Sequence, residues 1–393
     1  MHPLNNDSVM AKLTLLIVIG VIVAFGCSNA APTGGIDNTL IVTSDVQESR
    51  FRVETIATGL EVPWAFAWLP NGEMLFTERR GRVRTIRDGK LVSEPVYVVP
   101  DVEPSSESGL MDISLHPNFA ANNFVYIAYA YRGDGKQVKI VRFKYSAGKF
   151  TEPKTIIESI PAAPNHAGTR ARFGPDGKLY VTTGDATKWD LSQQMDSLAG
   201  KTLRLNDDGS APDDNPFVKR QGARPEIWSI GHRNAQGLAW QPGTGLMFQT
   251  EHGPSQFEGR GGGADEVNIV EAGKDYGWPT IWGTRAKEGM EPPLLEYSPA
   301  CAPASGAFYN GDKFPEFKGN FFFGCLRGAR IIRVVLDGRK VIRQGNLLVG
   351  KVGRIREVGE GPDGYLYFSS SNRDGRGNPS RDDDRIMRLV PSQ

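Results

Sequence analysis

The stretch Gly174-Pro175-Asp176-Gly177-Lys178-Leu179-Tyr180-Val181-Thr182-Thr183-Gly184-Asp185 decides the fold. A Pro-Asp-Gly turn runs directly into a short strand of aromatic and β-branched residues, which is how a tight hairpin is written in sequence. GPDGYLYFSSS from Gly361 is a near copy. PNGEMLFTE from Pro70, HPNFAANNFVYIAYAY from His116, QPGTGLMFQTEHG from Gln241 and FPEFKGNFFFG from Phe314 bring the set to six. One such hairpin cannot bury its own apolar face, so copies must stack on one another. The repeats therefore predict an all-β, six-bladed β-propeller with four-stranded antiparallel blades.

Working outward, the strands alternate with period 2, as in Lys178-Leu179-Tyr180-Val181-Thr182 and Tyr365-Leu366-Tyr367-Phe368, so each is expected to bury one face against its neighbour. The prolines marking the repeats, Pro70, Pro117, Pro175, Pro242, Pro315 and Pro362, are most widely spaced in the middle of the chain. A four-stranded blade needs about 40–45 residues, so the middle repeats carry extra loops, and long loops in compact domains tend to be functional. Arg50 to Ile56 alternates well and is predicted to pair with Arg385 to Val390, closing the ring in one blade and removing its exposed edges.

Before the repeats, Lys12 precedes an apolar run from Leu13 to Phe25, followed by the small residues Gly26, Cys27, Ser28, Ala30 and Ala31. About 13 apolar residues are short for a bilayer span but suit a secretory signal. Residues 1–30 thus read as a signal peptide, 31–48 as a polar tether and 49–393 as the propeller catalytic domain. Ala24-Phe25-Gly26-Cys27 resembles a lipobox with Cys27 as a lipid anchor, while cleavage after Ala30 or an uncleaved anchor are the other routes. Each puts the body of the protein in the periplasm or cell envelope. That compartment permits a disulfide between Cys301 and Cys325, and two buried thiols fit the sequence equally. The formal net charge of +1 comes with no basic run, so no nucleic-acid partner is expected.

Four segments place chemistry beside turns. His166 lies in Asn165-His166-Ala167-Gly168, and Asp185 closes the following repeat. A carboxylate on one ring nitrogen would leave the other free as a base. Gly231-His232-Arg233-Asn234-Ala235-Gln236-Gly237 packs polar groups between a strand and a glycine. Glu251-His252-Gly253-Pro254, then Asp265-Glu266-Val267-Asn268 and Tyr276-Gly277-Trp278-Pro279, offer hard oxygens suited to calcium. Arg327 follows Cys325, and Arg354 and Arg356 stand at i, i+2 on one strand face. Taken singly, each segment also reads as an ordinary turn or solvated surface.

Together, GHRNAQGLAW, EHGP, DEVNIV with KDYGWP, and GRIREV with GPDGYLY resemble the pyrroloquinoline quinone-dependent soluble sugar dehydrogenases, most closely the aldose sugar dehydrogenase branch. The resemblance runs from about Thr55 to the C-terminus. It implies an enzyme that oxidises the anomeric carbon of an aldose to a lactone by hydride transfer to the calcium-bound quinone. The electrons then pass to an external acceptor such as a quinone, cytochrome or dye. It implies His166 as general base and Asp185 as its orienting carboxylate. Glu107, Arg233, Asn234, Arg327, Arg354 and Arg356 fall at cofactor-binding positions. Main-chain oxygens of Gly253 and Pro254 fall at the calcium on the quinone, and Glu266 with the main chain of Tyr276 at a structural calcium. The expected form is a monomer or homodimer.

This chain departs from the family pattern at Glu107, where glucose-oxidising relatives carry Gln, at Arg327, a Lys in some relatives, and in the insertion Ser255 to Gly263. Two other readings of a six-bladed propeller remain: a calcium-dependent lactonase or esterase, and a non-catalytic envelope propeller that binds glycans or proteins.

Overall fold

The computed structural model describes residues 51–392. The signal peptide, Cys27 and the tether therefore lie outside the described residues. Six antiparallel sheets follow in chain order, and in each the first strand pairs with the second, the second with the third and the third with the fourth. The first strands are Pro63–Trp68, Leu110–Leu115, Ala171–Phe173, Ala235–Trp240, Pro303–Phe308 and Ile355–Glu360. The second strands are Met74–Glu78, Phe124–Gly133, Leu179–Thr182, Met247–Glu251, Phe321–Cys325 and Leu366–Ser370. Each repeat quoted above is the turn between first and second strand, so all six turns share one end of the ring.

Ring closure follows the sequence expectation. Phe51–Ala57 pairs antiparallel with Ile386–Pro391 as the outermost strand of the sixth blade. The first blade differs from the other five because its outer position is split between Lys90–Leu91 and Tyr97–Val98, both paired with Arg82–Arg87.

One expectation is corrected. The second strands do not bury a single face: every residue of Met74–Glu78, Leu179–Thr182, Met247–Glu251, Phe321–Cys325 and Leu366–Ser370 is buried. Blades stack on both sides of these strands, so both faces leave water. Four of their hydroxyls are satisfied by the next blade. Thr77 Oγ1 donates to the Met111 carbonyl at 2.6 Å, Thr250 Oγ1 to Ala304 at 2.6 Å and Thr182 Oγ1 to Ala235 at 3.2 Å. Ser369 Oγ donates to Pro63 at 2.8 Å and so ties the last blade to the first. Each such bond contributes about 0.5–1.5 kcal/mol net, and losing one would leave a buried acceptor unmet.

Cys301 and Cys325 are free, buried thiols. Their side chains are hydrogen-bonded to each other, which with burial pushes the Cys301 thiol well above its usual value.

The channel is filled at mid-depth by an ion network. Arg170, 1% exposed, pairs with Asp112 at 3.0 Å and Glu357 at 2.6 Å, and Arg172 reaches Asp112 at 2.6 Å. The Arg170 guanidinium also lies 4.4 Å from the ring centre of the buried Trp64. These charges come from the second, third and sixth blades, so three blades must be in register for them to meet.

Candidate active site

At the end opposite the repeat turns, the chain enters each first strand and leaves each second strand. Residues just before a first strand and just after a second strand therefore gather at one mouth. His166, Arg233 and Arg354 are of the first kind, and Asp185, His252 to Pro254 and Arg327 are of the second. They surround a cavity of about 470 Å³ walled by Glu107, His166, Arg233, His252, Gly253, Pro254, Arg327 and Arg354, among others.

His166 is held by its partner. Its Nδ1 lies 2.7 Å from Asp185 Oδ1, and Asp185 is fully buried. The same oxygen accepts the Thr187 N–H at 2.8 Å, and Oδ2 accepts the Trp278 indole N–H at 2.9 Å. An ionised carboxylate only accepts, so Nδ1 carries a proton, and in the neutral ring Nε2 is the nitrogen that holds the lone pair. The turn works because Gly184 lacks a side chain: a Cβ there would run into the His166 carbonyl.

The arginines divide into two sets. Arg233, Arg327 and Arg354 line the cavity, whereas Arg356 is 1% exposed and sits outside its wall, 5.2 Å from the ring centre of Trp64. Arg354 lies just before the strand Ile355–Glu360 and Arg356 within it, so the two are not both on a strand. Burial lowers the pKa of Arg356 to about 10, still charged at neutral pH. Asp374 ties both together, with Arg354 at 2.7 Å and Arg356 at 3.8 Å. The buried Nε–H groups of Arg233 and Arg356 have no hydrogen-bond partner among the described residues. The Arg327 side chain forms no ion pair or hydrogen bond among them either. Unmet donors on buried guanidiniums suit an anionic ligand.

Glu107 is not left facing the cavity unpaired. Its Oε1 lies 2.7 Å from Arg376 Nη1, and Oε2 accepts Asn234 Nδ2–H at 3.2 Å. Burial alone would raise its pKa, but the charges of His252, His166 and Arg376 bring it down to about 2. Burial pushes His252 below its usual value, so Arg376 is the cation that persists at neutral pH. Arg376 also bonds Asn165 Oδ1 at 2.9 Å, next to His166 in the chain.

Among the described residues, no group of three or more His, Cys, Asp or Glu side chains forms a metal cage. The donors on offer are main-chain and amide oxygens with one or two carboxylates. Gly253 and Pro254 border the large cavity, and a Cβ on Gly253 would collide with the carbonyls of Gly263 and Ala264. Asp265 fixes this corner by accepting the Gly253 N–H at 2.8 Å and those of Cys301 and Ala302 at 2.7 Å.

Beside it is a void of about 10 Å³ bordered by Glu251, Glu266 and Tyr276, enough for one small sphere. Glu251 and Glu266 face each other across paired strands, both buried. Burial, then the charge of Glu251, raises the pKa of Glu266 to about 8. Nearby, Asn268 Oδ1 is buried without a hydrogen-bond partner. Opposed buried carboxylates with an unmet amide oxygen are a hard-oxygen set that fits a divalent cation.

Of the residues singled out from the sequence, Glu107, His166, Arg233, Gly253, Pro254, Arg327 and Arg354 line the cavity; Asp185, Asn234 and Arg356 lie buried behind its wall, and Glu266 and Tyr276 border the smaller void. Sequence reasoning missed Asp374, Arg376 and Glu258, and named Glu251 only as part of the Glu251-His252-Gly253-Pro254 segment. The first two follow the second strand of the sixth blade, the position that Asp185 and Arg327 occupy in theirs, and that periodic placement was the available signal.

Residues 60–387 match the family model described as Glucose / Sorbosone dehydrogenase. The chain belongs to this family. It is 39% identical over 343 residues to aldose sugar dehydrogenase YliI of Escherichia coli (strain K12), covering 82% of this chain and 91% of that protein. The soluble aldose sugar dehydrogenase of Escherichia coli in its apo form superposes with a TM-score of 0.80 at 34% identity, covering 87% of this chain and 100% of that one. The PQQ-bound aldose sugar dehydrogenase of Streptomyces coelicolor gives a TM-score of 0.77 at 33% identity, covering 88% of this chain and 99% of that one.

Proposed function

We propose that the protein is a pyrroloquinoline quinone-dependent aldose sugar dehydrogenase that oxidises the anomeric carbon of an aldose to the lactone. The observation that carries this reading is the His166–Asp185 pair opening onto a cavity whose wall is made of guanidiniums. The cofactor is a flat tricarboxylate. A cavity of about 470 Å³ bordered by Arg233, Arg327 and Arg354, with an unmet Nε–H on Arg233, fits such an anion. The main-chain oxygens of Gly253 and Pro254 would hold calcium, and the bound quinone and calcium would together supply a polarised hydride acceptor for the anomeric carbon.

The chain's own residues do the rest. Arg233, Arg327 and Arg354 would hold the carboxylates, with Glu107 on the same wall and Asn234 behind it, bonded to Glu107. His166 Nε2 is placed to take the proton of the anomeric hydroxyl. The imidazolium formed is stabilised by Asp185, whose two oxygens are already fixed by Thr187 and Trp278, so the ring need not reorient during proton transfer. Asp185 is a positioning residue, since it meets the ring and not the sugar. Glu266, Glu251 and the Tyr276 main chain would hold a second calcium that braces this corner.

The test is reconstitution. Protein given pyrroloquinoline quinone and calcium should reduce a dye in the presence of aldoses, and a panel of aldoses would rank them. A lactone or ester hydrolysed by the calcium form, with no dye reduction under any sugar, would reject the dehydrogenase.

A further inference from the structure

The insertion Ser255 to Gly263 has no role in the chemistry above, yet it reaches into the cofactor cavity. Its short helix Gln256–Glu258 starts at Ser255, whose N–H and hydroxyl bond Glu258 Oε2 at 2.6 and 3.2 Å. That fixes the Glu258 carboxylate, and the same oxygen lies 2.7 Å from Arg233 Nη2. Glu258 is only 11% exposed at this pair and Arg233 only 4%. Burial alone would raise the Glu258 pKa, but the charge of Arg233 and the Ser255 N–H lower it, so the carboxylate is ionised.

The insertion is also anchored away from this contact. Arg260 donates to the Pro279 carbonyl at 2.7 Å, and its guanidinium lies 4.7–5.1 Å from the ring centres of Trp189, Trp278 and Trp282. Trp278 in turn holds Asp185. The loop is thus pinned at Arg260 while its Glu258 end extends to Arg233.

We propose that Glu258 is an internal stand-in for a cofactor carboxylate at Arg233, which the cofactor must displace to load; this rests on the dehydrogenase reading. Arg233 has one Nη on the His252 carbonyl at 3.1 Å and the other on Glu258, so a second carboxylate arriving there meets a like charge at contact distance. A buried guanidinium can carry two carboxylates where a second cation joins them, as Arg172 does beside Arg170. But Arg233 is the only ion-pair partner of Glu258 among the described residues, so a second carboxylate there is repelled. Loading therefore breaks the Glu258–Arg233 pair while the Arg260 anchor keeps the insertion at the mouth. Affinity for the cofactor is set by this competition as well as by the arginines.

The test measures equilibrium binding of pyrroloquinoline quinone to the cofactor-free chain at saturating calcium, by quenching of tryptophan fluorescence. Trp278, 5.3 Å from the Arg233 guanidinium, is a built-in reporter. E258Q keeps an acceptor for Arg233 and for Ser255, so it should fold, and it should bind at least tenfold more tightly. S255A, which removes only the 3.2 Å hydroxyl bond and leaves the backbone N–H bond and the charge in place, should tighten binding by a smaller factor. E258Q that binds as the native chain does, or more weakly, would overturn the proposal and make Glu258 a support for Arg233. Binding by neither form would remove the dehydrogenase reading, and the competition with it.

Discussion

The two mouths of this channel are built by the same six strands and have little else in common. At the turn end, a cavity of about 550 Å³ is lined by Phe66, Trp68, Phe173, Trp240 and Phe308, with Arg172 and Glu357 as its charged members. At the other end, a cavity of about 470 Å³ is lined by guanidiniums, His166, His252 and Glu107. The turn end is where the repeats are alike, because each must make the same reversal between first and second strand. The other end is where they differ, because nothing in the stacking of blades dictates what precedes a first strand. Size and apolarity would select the turn end as a ligand site. Orphaned donors, a fixed imidazole tautomer and opposed carboxylates select the other. Chemistry, and not volume, separates scaffold from site here.

The sharpest way to break that distinction is at His166. His166→Ala should retain quinone and calcium binding while sugar-dependent dye reduction falls about 10²–10⁴-fold, the usual worth of a well-placed general base. A rate near that of the native enzyme would mean that the imidazole only shapes the mouth, and the contrast between the two ends would lose its main support.

The second test concerns charge opposed to charge at Glu251 and Glu266. Glu266 titrates near 8 in the folded chain against an ordinary 4.5. Between those values the folded state holds a proton that the unfolded state has released, so this site's contribution to stability is full below pH 4.5 and declines as the pH rises towards 8. Calcium takes the proton's place. Its stabilisation should therefore grow with pH, reaching about 2.7 kcal/mol when free calcium is a hundred times its dissociation constant. Thermal melts at pH 5 and pH 8, with calcium and with chelator, would show it. Glu266→Gln should flatten the dependence, and an equal calcium effect at both pH values in the native chain would argue against cation binding there.

How far the sequence revealed this follows from which forces act locally. Pro-Asp-Gly turns are local chemistry, so the hairpins, their number and the ring closure could be read directly. Burial of both faces of the second strands could not, because alternation along Leu179–Thr182 does not say that the intervening Thr and Tyr side chains are covered by a neighbouring blade. The divided outer strand of the first blade leaves no mark in so short a segment. In the site, motifs flanking a strand were readable, as with His166, Arg233 and Gly253. Asp374 and Arg376 sit in Ser371-Asn372-Arg373-Asp374-Gly375-Arg376-Gly377, which looks like solvated charge until the ring brings it against Glu107. Period 2 gave Arg354 and Arg356 a common face, yet the strand starts between them. Glu258 lies in an insertion with no repeat to align it.

A smaller effect is expected at the Glu107–Arg376 pair, where the mouth is held by charge and not by apolar packing. Arg376→Ala leaves the Glu107 carboxylate, 12% exposed, without its nearest cation. An unmet buried acceptor costs about 1–3 kcal/mol. Because Arg376 is 48% exposed, solvent screens the pair and the lower end applies. Thermal melting should drop accordingly, and Glu107→Gln made in the Arg376→Ala background should recover most of the loss. Equal destabilisation in single and double variants would show that Arg376 acts through Asn165 instead.

The smallest effect belongs to the aromatic mouth. Trp240 ends a first strand at the turn end, edge-on to Tyr180 with ring centres 5.3 Å apart. Between it and His166 stands the ion network of Arg170, Asp112 and Glu357, whose groups are held from three blades and cannot shift singly without unpairing a buried charge. Trp240→Ala should thus lower thermal stability while kcat/KM for an aldose stays within about twofold of the native value, since no interaction with the transition state is removed. A tenfold fall in kcat/KM with cofactor affinity intact would mean that the network transmits rather than insulates, and that the two mouths form one functional unit.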